Sequence, residues 1–218
     1  MHLTLKETKE EIYASQRVSK HVSPHLHNAL EIVCVTEGTL EMGVGQELYH
    51  MEKGDIGFVF PDIIHHYQVF SEETSRADYI LVPSSFAGVF EDKIQGYAPK
   101  YPVISARQIE PDVYNALQTI IQMDEKEPVI VQAYVQIMLA RCIGKMELVE
   151  KSCVGSDDLI YRTVSYVSGN FRKNFSLEEM AYDLSVSKYV LSRVFSKTFH
   201  CNFNQYLNDA RLSYACTR

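Results

Sequence analysis

The chain lacks the cysteine pattern of a disulfide or zinc framework. Its five cysteines are scattered, odd in number and never spaced as Cys-x-x-Cys, which argues against both. Long apolar runs are also missing. The opening residues, MHLTLKETKEE, contain no signal-peptide core, and no stretch is long enough to span a bilayer. These absences predict a cytoplasmic protein with no membrane partner.

Positive charge is scarce. The formal net charge is -7, which at first sight disfavours nucleic acid as a partner. The balance is uneven, because residues 1–156 carry 13 Lys and Arg against 22 Asp and Glu, whereas residues 157–218 carry 8 against 6. A mildly basic C-terminal segment after an acidic N-terminal one fits a chain in which only the last third contacts nucleic-acid phosphates. It also fits plain solvated helices.

The first part of the chain has a strand-like pattern. Between Ile12 and Val82, short runs of Val, Ile, Tyr and Phe alternate with turn residues near positions 36–38, 43–45, 53–55, 61–62 and 71–75. This spacing is typical of a small antiparallel barrel or sandwich. Segments 32–35 and 56–60 are apolar on both faces, as strands covered on both sides are. We therefore predict an α+β chain with an antiparallel β-barrel or sandwich in residues 1–108.

Helical periodicity follows the barrel. Pro111 and Pro128 are each suited to a first helical turn, and apolar residues recur at helical spacing after both. We predict a helical pair in residues 109–150. It either packs on its own barrel or leaves an apolar face for a homodimer. The short polar segment 151–156 is the predicted linker.

The last third has the pattern of helix, turn and helix. A helix beginning at Leu159 is predicted to end at Gly169–Asn170, and Ser176-Leu-Glu-Glu179 is a capping box for the next. Residues 185–187 break the pattern around a Val186 predicted to be buried, and Ser187 caps a helix over 188–199. The predicted buried stripe of that helix is Val190, Leu191, Val194 and Phe195.

A helix-turn-helix places the outer face of its second helix in the major groove. That face carries the predicted DNA-binding residues Lys188, Tyr189, Ser192, Arg193 and Lys197. The same pattern is also typical of a compact helical hairpin with a solvated basic face.

Residues 176–195 resemble the first helix-turn-helix of the AraC/XylS family of bacterial transcription regulators. Residues 203–215 resemble the family's next helix, with its Arg-Leu-x-x-Ala. The resemblance implies a DNA-binding domain over 157–218 in which positions 188, 189, 192 and 193 face DNA. Two features depart from it. His200 stands where a glycine is usual, and the sequence stops at Arg218, before the family's second helix-turn-helix. A DNA-binding domain with one of the two helix-turn-helix units would be expected to bind DNA weakly. Such a protein could instead act as a dimerising antagonist of a full-length relative.

Three polar residues in the first part of the barrel segment are separated from one another by even numbers of positions. On a single strand His25, His27 and Glu31 would share one face, and His65 follows a later strand. Their spacing resembles the first motif of cupin barrels, and Gly54 with His65 resembles the second. The resemblance implies a cupin-like sensor in which these four residues bind a small-molecule effector, or a divalent Fe, Mn, Ni or Zn ion. No other cofactor is expected. A ligand-responsive, non-enzymatic transcription regulator and a cupin metalloenzyme both remain open.

Overall fold

The structure is a computed structural model that describes residues 12–45, 47–70, 74–151, 154, 159–199 and 201–216. The strands are β1 (Tyr13–Val18), β2 (Val22–His25), β3 (Ala29–Glu37), β4 (Leu40–Val44), β5 (Glu47–Met51), β6 (Ile56–Val59), β7 (His65–Gln68), β8 (Arg76–Pro83), β9 (Tyr97–Pro99), β10 (Val103–Ile104) and β11 (Leu148–Glu150). The α-helices are α1 (Glu91–Gly96), α2 (Pro111–Gln122), α3 (Pro128–Cys142), α4 (Leu159–Asn170), α5 (Leu177–Asp183), α6 (Lys188–Lys197) and α7 (Phe203–Cys216).

Two antiparallel sheets form the first half of the chain. The five-stranded sheet has the order β1-β8-β3-β6-β10, and the four-stranded sheet has the order β2-β7-β4-β5. β3 lies between β8 and β6 and is buried from Ala29 to Val35. The strands of segments 32–35 and 56–60 are therefore covered on both faces, as predicted. Strands followed by helices make an α+β fold.

Two glycines allow side chains to occupy the space above the strands. A Cβ added at Gly57 would lie 2.3 Å from Cε of Met42, which belongs to the other sheet. A Cβ added at Gly43 would lie 1.8 Å from the His66 ring. Gly43 and Val44 lie inside β4, so the turn predicted over residues 43–45 is wrong at its first two residues. The turn comes at Gly45, which has a φ of 61°.

The helical pair begins at the two prolines, as predicted. α2 packs on β1, on β8 and on α3. α3 buries one side of its surface and leaves a second apolar stripe exposed, made of Ile130, Ala133, Ile137 and Ala140. After α3 the chain returns to the barrel, because β11 pairs with β9.

The C-terminal helices form a second apolar cluster built on Phe195, Phe199 and Tyr206. The predicted capping box is present: the Glu179 amide donates to Ser176 Oγ at 3.1 Å, and the Ser176 amide donates to Glu179 Oε2 at 2.7 Å. Ser187 caps α6 by accepting from the Val190 amide at 3.3 Å. These local contacts start α5 and α6 at the residues where the sequence predicted them.

α4 begins at Leu159 and ends at Asn170, as predicted. The burial predicted for two residues of this region needs correction. Val186 is half-buried, and Val190 is 47% exposed. Val190 lies at the start of α6, beyond the reach of α4 and α7. Most of the predicted linker 151–156, and His200, lie outside the described residues. Among the described helices, none combines the length and apolarity needed to cross a membrane.

Candidate ligand site and candidate DNA-binding face

The structure brings all four predicted barrel residues together, but not from one strand. His25 ends β2, His27 lies in the connection to β3, Glu31 lies in β3 and His65 begins β7. β2 and β3 belong to different sheets, so the expectation of a shared strand face is wrong. The residues converge because the chain crosses from one sheet to the other between His25 and Glu31. One ligand atom from each of the four lies within 4.8 Å of the others.

Glu31 is the centre of this histidine cluster, by which we mean His25, His27, Glu31 and His65. Its Oε2 lies 2.9 Å from His27 Nε2 and 3.1 Å from His65 Nε2. Its other oxygen, Oε1, accepts a hydrogen bond from the Tyr67 hydroxyl at 3.0 Å. All four cluster residues are buried.

Burial and mutual contacts set the protonation of the cluster. Burial, together with the His65 and His27 rings, holds the pKa of His25 well below its ordinary value, and burial lowers the pKa of His27. Burial by itself raises the pKa of Glu31, but hydrogen bonds from His27 and His65 outweigh it and keep that pKa well below its usual range. His25 and His27 therefore offer neutral imidazoles and Glu31 an ionised carboxylate, the protonation states in which these groups bind metal.

The hydrogen-bond pattern fits a divalent transition-metal ion. His25 Nδ1 lies 2.9 Å from the Ser23 carbonyl oxygen, and His65 Nδ1 lies 2.9 Å from that of Ile63. Backbone acceptors at Nδ1 fix the proton there and leave Nε2 for a metal, as in many metal sites. His65 Nε2 also faces Glu31 Oε2, so both ring nitrogens of His65 lie next to oxygen atoms. A cation between Nε2 and the carboxylate would be bound by both while Nδ1 keeps its proton.

Tyr67 is the residue of this site that sequence reasoning did not place. Tyr67 lies two residues after His65 on β7, so both side chains point into the barrel. The sequence did not show where β7 begins, so it did not show which way the Tyr67 side chain points. Its pKa is raised well above the ordinary value by burial and by Glu31, so it remains a donor to the carboxylate.

The histidine cluster lies directly behind the contact between the barrel and the C-terminal helices. Leu26, between the two clustered histidines, packs against the apolar cluster of the helices, and Ile64, next to His65, is part of it. The Tyr206 hydroxyl donates to the Pro24 carbonyl oxygen at 3.3 Å, and Ser23 Oγ lies 3.5 Å from the Phe199 carbonyl oxygen. Side chains that alternate with the histidines therefore point the other way, into the helices. An apolar Leu26 between two inward histidines is the sequence signal for this contact.

The five predicted DNA-facing residues all lie exposed on one side of α6 or at its ends. Tyr189 is 77% exposed. Lys188 Nζ lies 3.3 Å from Glu178 Oε1 of α5. On the opposite side of α6, Leu191 and Phe195 are buried against α7 and α4. Arg211, from the Arg-Leu-x-x-Ala segment, has a structural role: it donates to the carbonyl oxygens of Phe171 and Lys173 after α4.

Comparison with known proteins gives one family and several similar folds. Residues 9–126 match the model of the AraC-like ligand-binding domain. ToxT from Vibrio cholerae aligns with 95% of this chain and 82% of its own, at 12% identity and a TM-score of 0.49. The AraC-like transcriptional activator CuxR aligns over 94% and 77%, at 12% identity and a TM-score of 0.48. A double-stranded beta-helix protein from Klebsiella pneumoniae aligns over 33% and 64%, at 19% identity and a TM-score of 0.28. Comparison with curated protein sequences finds no match.

Proposed function

Since this chain belongs to the family of the AraC-like ligand-binding domain, we propose that it is a ligand-responsive transcription regulator that binds DNA through α6. The observation that carries this proposal is the outward polar face of α6, presented at a sharp turn after α5. Arg193 and Lys197 are exposed there, and no hydrogen bond or ion pair within the described residues occupies their side chains. These two positively charged side chains can therefore contact the phosphates and base edges of a major groove.

The proposed ligand site is the histidine cluster. Its ligand atoms lie within 4.8 Å of one another, and this geometry supports a divalent metal ion held by His25, His27, Glu31 and His65. Such an ion would supply positive charge next to the Glu31 carboxylate. The residues of the chain orient it: the backbone acceptors at His25 and His65 direct both Nε2 atoms inward, and Tyr67 holds the second carboxylate oxygen.

The proposed signal passes through Leu26 and Ile64. A ligand that moves His25, His27 or His65 must move these neighbours, because they share the same short backbone segments. Leu26 and Ile64 contact the helices that carry α6, so the ligand would change how α6 is held. A ligand shifts this equilibrium only by its difference in affinity for the two arrangements.

We also propose that the protein is a homodimer through α3. The exposed stripe Ile130, Ala133, Ile137 and Ala140 repeats at spacings of three, four and three residues, which is the seam spacing of a coiled coil. Two copies paired in this way would present two α6 helices to two half-sites.

Titration with random duplex DNA at low and at moderate salt tests the proposed DNA binding. We expect binding at low salt that weakens steeply as salt rises. No retention at low salt would overturn the proposal of DNA binding.

Titration with Mn²⁺, followed by loss of the free-ion electron paramagnetic resonance signal, tests the ligand site. Glu31→Gln should weaken binding by roughly tenfold or more, whereas Glu52→Gln, at a side chain that is 77% exposed, should not. Leu26→Ala should then leave Mn²⁺ binding intact and abolish any effect of Mn²⁺ on DNA affinity. If neither Mn²⁺ nor Zn²⁺ binds, the metal assignment is wrong, although the DNA-binding proposal is not affected.

A second function, turnover of a small molecule at a metal centre, is favoured by one observation: the cluster contains three histidines and a carboxylate, a set that also serves in catalytic metal sites. Stoichiometric iron or manganese in the purified protein, together with turnover of a small substrate, would support it over gene regulation.

A further inference from the structure

A second polar cleft lies away from the histidine cluster. It has a volume of about 370 Å³ and is walled by β1, β3, β8 and α2. Cys34 lines it, and Cys34 is three residues from Glu31 along β3, so the two side chains point to opposite faces of the sheet. None of the four cluster residues lines this cleft. It is therefore a separate site on the outer side of the five-stranded sheet.

Asp78 supplies the negative charge of the cleft. It lies between Gln16 and Cys34 in the strand register, and only 4% of its surface is exposed. Oδ1 accepts a hydrogen bond from Gln16 Nε2 at 3.0 Å. Among the described residues that line the cleft, Asp78 is the only acidic one, and no described cation forms an ion pair with it. A buried carboxylate without a cationic partner is costly, and burial accordingly raises the pKa of Asp78.

The remaining walls divide into an apolar side and a polar mouth. Leu117 and Ile121 of α2 supply the apolar side, and the mouth carries the side chains of Thr36, Gln118 and Gln122. Lys53 also lines the cleft, but it is exposed, so solvent screens its charge. The volume falls within the range of sites for small organic molecules.

We propose that this cleft binds a small molecule with a primary ammonium group, which pairs with Asp78 while its carbon chain packs against Leu117 and Ile121. An ammonium suits the site better than a guanidinium. Gln16 already occupies Oδ1, and the two-pronged contact of a guanidinium needs both carboxylate oxygens. A single carboxylate offers too few ligands for a divalent metal. The inference does not depend on the proposed function.

Isothermal titration of the full chain with n-butylamine at neutral pH tests the proposal, with n-butanol as the uncharged probe of similar shape and matched salt. We expect saturable binding of the amine, and binding of the alcohol that is roughly tenfold weaker or more, because the alcohol cannot form the charge-assisted bond. Asp78→Asn keeps an oxygen for Gln16 but removes the charge, so it should reduce amine binding to the level of the alcohol.

Two further variants keep the test decisive. Gln118→Trp, on the exposed surface of α2, should block the mouth without changing the charge and should also abolish amine binding. His65→Ala should leave amine binding unchanged, which separates this cleft from the histidine cluster. Equal binding of amine and alcohol, or amine binding that survives Asp78→Asn, overturns the proposal. If Asp78→Asn does not fold, amine binding that survives Gln118→Trp overturns it instead.

Discussion

The hydroxyl of Tyr206 donates a hydrogen bond to the carbonyl oxygen of Pro24 at 3.3 Å, across 182 residues of sequence. Tyr206 is fully buried, and its ring stacks on Phe199 with a centroid distance of 4.6 Å. The bond thus joins the core of the C-terminal helices to the strand that ends in His25. A second polar contact of this interface is that of Ser23 Oγ, 3.5 Å from the Phe199 carbonyl oxygen.

Tyr206→Phe should keep the stacked ring and remove this bond. We expect the free energy of unfolding to fall by about 1 kcal/mol, because the Pro24 carbonyl loses its donor in a buried place. Urea denaturation measures the change. Tyr189→Phe removes a hydroxyl at an exposed position and should change stability by less than about 0.5 kcal/mol. Equal effects of the two variants would mean that the bond contributes nothing.

The stability of the metal-free protein should fall as the pH decreases below about 6.5. His25 and His27 have lowered pKa values when folded, and burial lowers that of His66 to about 4. Below pH 6.5 these histidines therefore bind protons in the unfolded chain, whereas in the folded chain they stay neutral to lower pH. The cost approaches about 1.4 kcal/mol per pH unit for each such histidine. Glu31 acts at lower pH: its lowered pKa stabilises the fold above about 4.3, and this contribution is lost as the pH falls further.

Denaturation at several pH values, with a chelator present, checks this dependence. His25→Asn should flatten the decline below pH 6.5. The control is His50→Gln, because a hydrogen bond with Glu41 raises the pKa of this surface histidine and gives it the opposite sign. A decline that is unchanged in His25→Asn would contradict the assignment.

Arg193→Ala should weaken binding to duplex DNA and reduce the slope of log affinity against log salt by about 0.9, the value for one lost phosphate contact. Fluorescence anisotropy across a salt series measures it. Lys93→Ala removes the same charge from α1, on the barrel, and should leave the slope unchanged. Equal losses in both variants would indicate that only net charge matters.

Ile137→Lys should convert a dimer to a monomer, since it places a charge in the middle of the apolar stripe of α3. Ile137 is 41% exposed in the single chain, so the substitution should cost the folded monomer little. Analytical ultracentrifugation distinguishes the two states. Asn115→Lys, on the exposed surface of α2, is the matched control. A wild-type protein that is monomeric at high concentration would rule out the α3 interface.

Features set by neighbouring residues were predictable from the sequence. Ser176 and Glu179 cap each other within one turn, Ser187 caps α6, and Pro111 and Pro128 begin helices where a missing N–H does no harm. The spacing of His25, His27 and Glu31 correctly indicated a cluster, even though the reasoning from one strand was wrong. Their chain separation is short, so any path between the two sheets keeps them close.

The sequence by itself determined where α2, α3, α5 and α6 start and that His25, His27 and Glu31 lie close together, because these features depend on contacts over a few residues. Only the tertiary structure decided that Tyr67 holds Glu31, that Val190 is exposed, and that Leu26 and Ile64 face the C-terminal helices. Each of these features depends on which elements, distant in the sequence, pack against the residue. Local periodicity gives the two sides of an element but not which neighbour covers each of them.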